Sequence, residues 1–405
     1  MSPAEAAPAP PSEWRDGWRI VLGCSLASST GVVLLFFSFS LFVLPITAEL
    51  GMTRGEFGAV QALIVAGALG APVIGLLADR YGARPVFAAS TLIVAAVELG
   101  MTRFADGLWA MATSVFLLGL IGVGTTALVT TRPVTAHFHR HRGRALGLVV
   151  AGVSVATILA PTPLQWLTDT YGWRSAIAAL AGLSLVVGLP AMLFVLPREA
   201  GRADPRREGP RRAGDRAFLR DGRFWLLSLS GILIGAATSG FIGQLSPLVQ
   251  EEGVGPALAA LALSLFAVGQ LAGRICGGLL LDVFEPRRVA IAAILTPGTG
   301  FALLLLTQGS PAATLLAAAM IGLLAGAELD IGAYFISRLF PLTQYSTIYG
   351  AMNALGWLGN AAGVVGIGLL HDRFGTYAVA EGVACGLLVL GAVLFLRMPR
   401  LGKVL

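Results

Sequence analysis

The sequence predicts an all-α membrane protein: twelve transmembrane helices in two six-helix bundles related by a parallel repeat. Three observations carry that prediction. Of 405 residues, 56% are hydrophobic and 12% charged, with a mean hydropathy of +0.80, whereas a soluble domain carries about 25% charged residues. Apolar stretches bounded by Arg, Asp, Pro and Gly clusters recur twelve times, with lengths compatible with the roughly 20 residues that a bilayer-crossing helix needs. The two sets of six also share one internal offset.

The first six stretches fall at 18–46, 56–77, 85–102, 108–131, 144–168 and 173–196, and the second six at 224–250, 257–281, 289–307, 311–337, 345–370 and 376–397. They divide the chain into a disordered tail (1–16), an N-terminal bundle (17–196), a linker (197–223), a C-terminal bundle (224–397) and a short tail (398–405). The linker holds nine arginines, five acids and three prolines, the composition of a solvated connection and not of a packed domain.

Charge placement sets the orientation. With the N-terminus inside, 23 basic residues fall on cytoplasmic segments and four (Arg54, Arg103, Arg174, Arg373) on the opposite side. The positive-inside bias then puts both termini and the linker in the cytoplasm. The net charge of +6 is therefore a topology signal and no sign of nucleic-acid binding. Twenty-seven of the 28 basic residues are arginine, a bias read as a bacterial composition, which makes the inner (plasma) membrane the expected location. Cys24, Cys276 and Cys385 lie in apolar runs without zinc spacing, and the four histidines form no ligand set. No metal or cofactor is expected. Neither a phosphate loop nor a nucleophile–base arrangement is present, which argues against an enzyme and against an ATP-driven pump.

Gly75-x3-Asp79-x4-Arg84 recurs as Gly278-x3-Asp282-x4-Arg287, 203 residues later. The same offset relates Gly147 to Gly350, Asp169 to Asp372, Tyr171 to Phe374 and Gly172 to Gly375. Two separate pairs of segments agreeing on one offset near half the chain length indicate two six-helix halves in parallel repeat, an arrangement of alternating-access transporters.

The segment Gly75-Leu-Leu-Ala-Asp79-Arg80-Tyr-Gly82-Ala-Arg84 resembles the loop motif of the major facilitator superfamily. The resemblance implies a conformational latch made of Gly75, Asp79, Arg80, Gly82 and Arg84, with Asp282 and Arg287 in the degraded copy. Asp79 would face an arginine and helix N-termini of the neighbouring bundle. Three further segments resemble the monocarboxylate transporters and their oxalate/formate antiporter relatives. These are Glu13-Trp-Arg-Asp16-Gly17-Trp18, the loop from His137-Phe138 through Arg142-Gly143-Arg-Ala145-Leu-Gly147, and Gly326-Ala-Glu328-Leu-Asp330 with Ser337-Arg338-Leu-Phe340.

Arg274, in the middle of the eighth stretch, is the sharpest single feature. An arginine near the bilayer centre costs about 2.5–3.5 kcal/mol on insertion scales, so it calls for a partner. That partner is a substrate carboxylate, which guanidinium matches bidentately, or an intramembrane acid such as Glu328 or Asp330; snorkelling to the cytoplasm is a third reading. The resemblance favours the substrate, because the carboxylate-transporting family uses an arginine at this place. Gln270 lies one turn earlier on the same face, and Gln244 stands where bacterial relatives often have histidine. Neither can carry a proton. Ser38 and Phe39 in the first stretch, Thr126 in the fourth, Tyr334 in the tenth and Asn353 in the eleventh are further candidates to line the cavity, each with helix packing as its alternative. Glu328 and Asp330 are the candidate proton carriers. Glu98 and Glu381 lie in the third and twelfth stretches, peripheral to such a path.

The expected function is secondary transport of a small organic anion, a monocarboxylate above all, by alternating access with proton symport. The partners are the anion, protons and the lipid bilayer, without nucleic acid, and the unit is a monomer. A drug or metabolite antiporter of the same fold is the alternative. A non-transporting membrane receptor or sensor is the alternative of another class.

Overall fold

Within a bilayer each backbone N–H and C=O must be paired inside its own segment, so long apolar stretches become helices. The computed structural model describes residues 13–138, 141–195, 216–251, 253–307, 310–341 and 345–399. Among the described residues there are 12 helical spans long and apolar enough to cross a membrane and no strand. The first half holds spans 1 to 6: Val32–Leu50, Arg54–Tyr81, Ala83–Phe104, Leu108–His137, Arg144–Tyr171 and Trp173–Phe194. The second holds spans 7 to 12: Gly222–Glu251, Pro256–Leu281, Pro286–Leu306, Pro311–Leu339, Ile348–Phe374 and Ala378–Leu396. Residues 1–12, 196–215 and 400–405, which include most of the expected tails and linker, lie outside the described residues.

The structure corrects the first stretch in two ways. Helix starts at Trp14, inside the segment expected to be a disordered tail, and the stretch is divided into Trp14–Ser28 and span 1. The break falls at Ser29-Thr30-Gly31, where Gly31 takes φ +84°, a left-handed value that costs glycine little. Side chains of the same half satisfy the freed backbone. Gly31 N–H donates to Ser184 Oγ at 2.9 Å and Val32 N–H to Thr125 Oγ1 at 3.3 Å. The hydroxyls of Ser28 and Thr130 are bonded at 2.5 Å.

Interruptions recur through the first half. Span 2 tightens to a 3-10 turn at Leu63–Ala66 and span 4 at Val123–Thr125. Span 5 restarts at Pro161, and span 6 loosens to π geometry at Ser184–Gly188. Spans 7 to 12 are each one uninterrupted α-helix.

Glycines set the tightest contacts. A Cβ on Gly70 of span 2 would overlap the carbonyl oxygen of Leu120 in span 4, and one on Gly273 of span 8 that of Leu323 in span 10. Both members of the second contact stand 203 residues after those of the first, so the repeat extends to backbone-to-backbone packing. Spans 8 and 10 continue this seam through Gly269, Gly277, Gly322 and Gly326, the small-residue contact that lets membrane helices approach closely.

Candidate functional site

Arg274 sits on this seam. Gly326 of span 10 packs directly against the backbone of Gln270 and Arg274, so one turn further along span 10 Asp330 stands beside span 8. The Arg274 guanidinium and the Asp330 carboxylate interact electrostatically. Yet among the described residues Arg274, Glu328 and Asp330 form no ion pair within 4.0 Å. Arg274 is half-buried, as are Gln270, Glu328, Asp330 and Tyr334. Tyr334 follows Asp330 by one turn. The second half thus presents a cation, two acids, an amide and a phenol along two helices locked together by glycine.

The other expected lining residues are distributed more widely. Ser38 Oγ is buried without a hydrogen-bond partner among the described residues. Phe39 belongs to the core of the first half, stacked on Phe57 with ring centroids 5.3 Å apart. Thr126 spends its hydroxyl on the break in span 4, donating to Val123 O at 2.7 Å and accepting from Leu128 N–H at 3.4 Å. Asn353 donates to Tyr349 O of its own helix at 3.0 Å. Glu98 is fully buried in the first half, and neither carboxyl oxygen has a hydrogen-bond partner among the described residues.

Gln244 lies in a layer that joins the halves at the face poor in arginine. It accepts from the Tyr377 hydroxyl at 3.1 Å. Burial holds that phenol above its ordinary pKa, so it stays a donor through alkaline pH. Next to it, Gly243 abuts the side chain of Gln61 in span 2, and Ser246 N–H donates to Ser40 Oγ of span 1 at 2.9 Å. At the outer end the Asp372 carboxylate accepts from Arg54 N–H at 3.0 Å and Gly55 N–H at 2.7 Å. The first turn of span 2 is thereby capped from the other half. Gly58 and Gly368 let spans 2 and 11 meet backbone to backbone. Among the described residues no comparable packing joins the opposite ends of spans 2 and 4 to the second half. The cleft is closed at the arginine-poor face and parts toward the arginine-rich one.

The loop motif is where a correction is needed. Asp79 pairs with Arg132 of span 4, in its own half and not in the neighbouring bundle. Arg132 Nη2 also donates to Gly75 O at 3.3 Å. The physical reason is the parting of the halves at this face, which leaves span 4 as the neighbour within reach. Gly82 turns the loop with φ +91°, and Arg80 lies over the Tyr81 ring at 5.3 Å. Arg84 is half-buried. In the repeat copy Arg287 donates to Met398 O at 3.2 Å; the Asp282 side chain lies outside the described residues.

Sequence reasoning missed Arg132, Gln61 and Tyr377. Arg132 directly follows the fourth apolar stretch, and the structure carries the helix of span 4 past it to His137. The family resemblance also placed two segments side by side without joining them. Glu13 Oε2 accepts from His141 N–H at 3.1 Å, and the Trp14 ring packs on Phe138 at 4.9 Å.

Twelve spans in two repeated halves around a cleft, with a cation inside the membrane, define a polytopic membrane transporter. The chain belongs to the Major Facilitator Superfamily, which it matches over residues 26–255 and again over 227–404. Within it, the chain resembles the monocarboxylate transporter family. It is 26% identical to monocarboxylate transporter 13 of Rattus norvegicus, covering 95% of this chain and 89% of the relative. It is 30% identical to a chloramphenicol resistance protein of Streptomyces lividans over 69% of this chain and 68% of that one. Identity to the 3-(3-hydroxy-phenyl)propionate transporter of Escherichia coli is 28%, over 83% of this chain and 82% of that protein. Among solved structures, the nucleoside transporter NupG superposes with a TM-score of 0.77 at 15% identity, covering 94% of this chain and 98% of that one.

Proposed function

We propose that the protein carries a small organic anion, a monocarboxylate by preference, across the membrane by alternating access with proton symport. The observation behind this is Arg274, a cation within a span that no carboxylate among the described residues neutralises by direct contact. A substrate carboxylate supplies the missing planar, bidentate partner. Gln270, one turn away, orients the guanidinium, and Tyr334 bounds the space beside it. Ser38, with its unsatisfied hydroxyl, is a candidate contact from the first half.

The neighbourhood of Asp330 suggests how a proton is coupled. Its carboxylate and the substrate's compete for one guanidinium. A proton on Asp330 removes the competitor, so proton and anion bind together. Glu328, two residues earlier, is the alternative carrier. The excess of arginine on one face puts that face in the cytoplasm, so the conformation described here opens inward. The chain works as a monomer in a bacterial inner membrane, with no metal or cofactor. Similarity to the chloramphenicol resistance protein favours a second reading, drug export.

The deciding experiment is uptake of labelled carboxylates into proteoliposomes with and without an imposed pH gradient. Uptake should be stimulated by an inward proton gradient and abolished in Arg274→Gln. Full activity of that variant would sink the assignment, and proton-driven export of chloramphenicol without carboxylate flux would establish the second reading.

A further inference from the structure

The cleft has an aromatic end as well as a charged one. Phe37 of span 1 and Phe266 of span 8 meet across the two halves, with ring centroids 6.3 Å apart and planes inclined by 35°. Phe36 stands edge-on to Phe37 at 5.3 Å. Phe266 is buried and serves as backing, whereas Phe37 is only partly covered. Because Phe37 touches the opposite half, the uncovered part of its ring faces the space between the halves and not the lipid. Three residues further along span 1, Ser40 belongs to the layer that shuts the arginine-poor face. Phe37 therefore forms the end wall of the cleft as entered from the arginine-rich side.

Arg274 is held at a fixed interval from this wall. Phe266, Gln270 and Arg274 follow one another at four-residue spacing on one side of span 8, and eight residues of helix measure about 12 Å. Helical side chains lean toward the N-terminus of their helix, so ring and guanidinium are displaced alike and the interval is kept. The seam makes it rigid: Gly322 abuts the backbone of Phe266 and Gln270, and Gly326 that of Gln270 and Arg274. Neither end is a product of the repeat. At the 203-residue offset Phe37 corresponds to Gly240, Phe266 to Leu63 and Arg274 to Ala71.

We infer that the substrate is an arylalkanoate, a planar aromatic ring joined to its carboxylate by a short saturated chain. The inference rests on the anion-transport reading and narrows it. The carboxylate meets Arg274 and the ring stacks on the uncovered face of Phe37. A hydrogen-bonded carboxylate occupies about 3 Å of the interval and a ring-to-ring contact about 4.5–7 Å, which leaves room for a spacer of about two or three bonds. A two- or three-carbon acid on Arg274 stops short of the aromatic wall and forgoes its contribution.

Isothermal titration calorimetry of the full-length protein in detergent tests this with three acids: 3-phenylpropionate, 3-cyclohexylpropionate and propionate. The phenyl acid should bind at least about tenfold more tightly than propionate, which has no ring to bury. It should bind about threefold more tightly than the cyclohexyl acid, which has the same reach but no π-face. These rankings need no variant. Phe37→Leu, which keeps an apolar side chain in the contact, should bring the phenyl and cyclohexyl acids to equal affinity, and Phe37→Tyr should restore the difference. A merely structural role for Phe37 would weaken all three acids together. Equal affinity of the phenyl acid and propionate, with both lost in Arg274→Gln, would overturn this inference and leave the anion reading standing. A phenyl preference that survives Phe37→Leu would overturn it as well. Absence of Arg274-dependent binding for all three acids would sink the anion reading and this inference with it.

Discussion

The two halves descend from one pattern, yet they are built differently. At the positions of Arg274, Glu328 and Asp330 in the second half, the first half has Ala71, Thr125 and Ala127. In the second half the helices run unbroken and spans 8 and 10 are joined by a seam of glycines. In the first half five of six spans bend or restart, and Thr125 serves to satisfy the break in the first stretch. Arg274 sits on the half whose helices run unbroken, and the interruptions fall on the other. A binding group that must keep its geometry benefits from rigid support, while discontinuous helices offer places where a half can flex without losing its backbone hydrogen bonds.

The sharpest way to break the comparison is to remove the charge. Arg274→Gln should lower carboxylate uptake at least about 100-fold, given the worth of a bidentate charged contact, with expression and monodispersity unchanged. Asp330→Asn comes next. Exchange of labelled for unlabelled substrate should persist while accumulation driven by a pH gradient is lost, and retained accumulation would move the proton to Glu328. Third, Gly273→Leu and Gly70→Leu should both destabilise, by about 1–3 kcal/mol or more, because a backbone carbonyl cannot yield to a side chain. If only one does, measured by thermal unfolding in detergent, the seams are not equivalent.

Fourth, Asp372→Asn weakens the cap on span 2. Losing a charged hydrogen bond of about 1.5 kcal/mol should raise the population open at the arginine-poor face roughly tenfold, seen as faster labelling of a cysteine placed at position 61. The repeat counterpart Asp169 accepts from Gln165 of its own helix at 2.7 Å, so Asp169→Asn should leave that rate alone. The smallest effect belongs to Asp221, which precedes span 7. Hydrogen bonding from Arg223 holds its carboxyl below the usual value. Its contribution is present above the unfolded pKa and fades as pH falls through the folded one. Because its partner Arg223 is exposed and the pair is screened by solvent, Asp221→Asn should shift acid stability barely measurably.

Much of the architecture was legible because the bilayer imposes a coarse rule on composition: spans, their number and the repeat all follow from where apolar runs stop. Arg274 stood out for the same reason, as a charge where the rule forbids one. The break at Ser29–Gly31 was not legible, since Ser, Thr and Gly are ordinary in membrane helices and only the left-handed φ of Gly31 distinguishes it. Nor was the partner of Asp79, because Arg132 lies 53 residues away and which half supplies the arginine depends on how the halves sit. Gln244 illustrates a third limit. It has the right chemistry for a ligand, but Tyr377, 133 residues on, uses its oxygen in the closed layer.

The glycine seam between spans 8 and 10 has a mechanical meaning as well. Where two helices touch through their main chains, there are no rotamers between them to take up slack. A pull on the Arg274 guanidinium is therefore not absorbed by local side-chain shifts. It would travel into span 10 and on into the second half, so under the proposed function one captured anion would exert torque on a bundle of six helices.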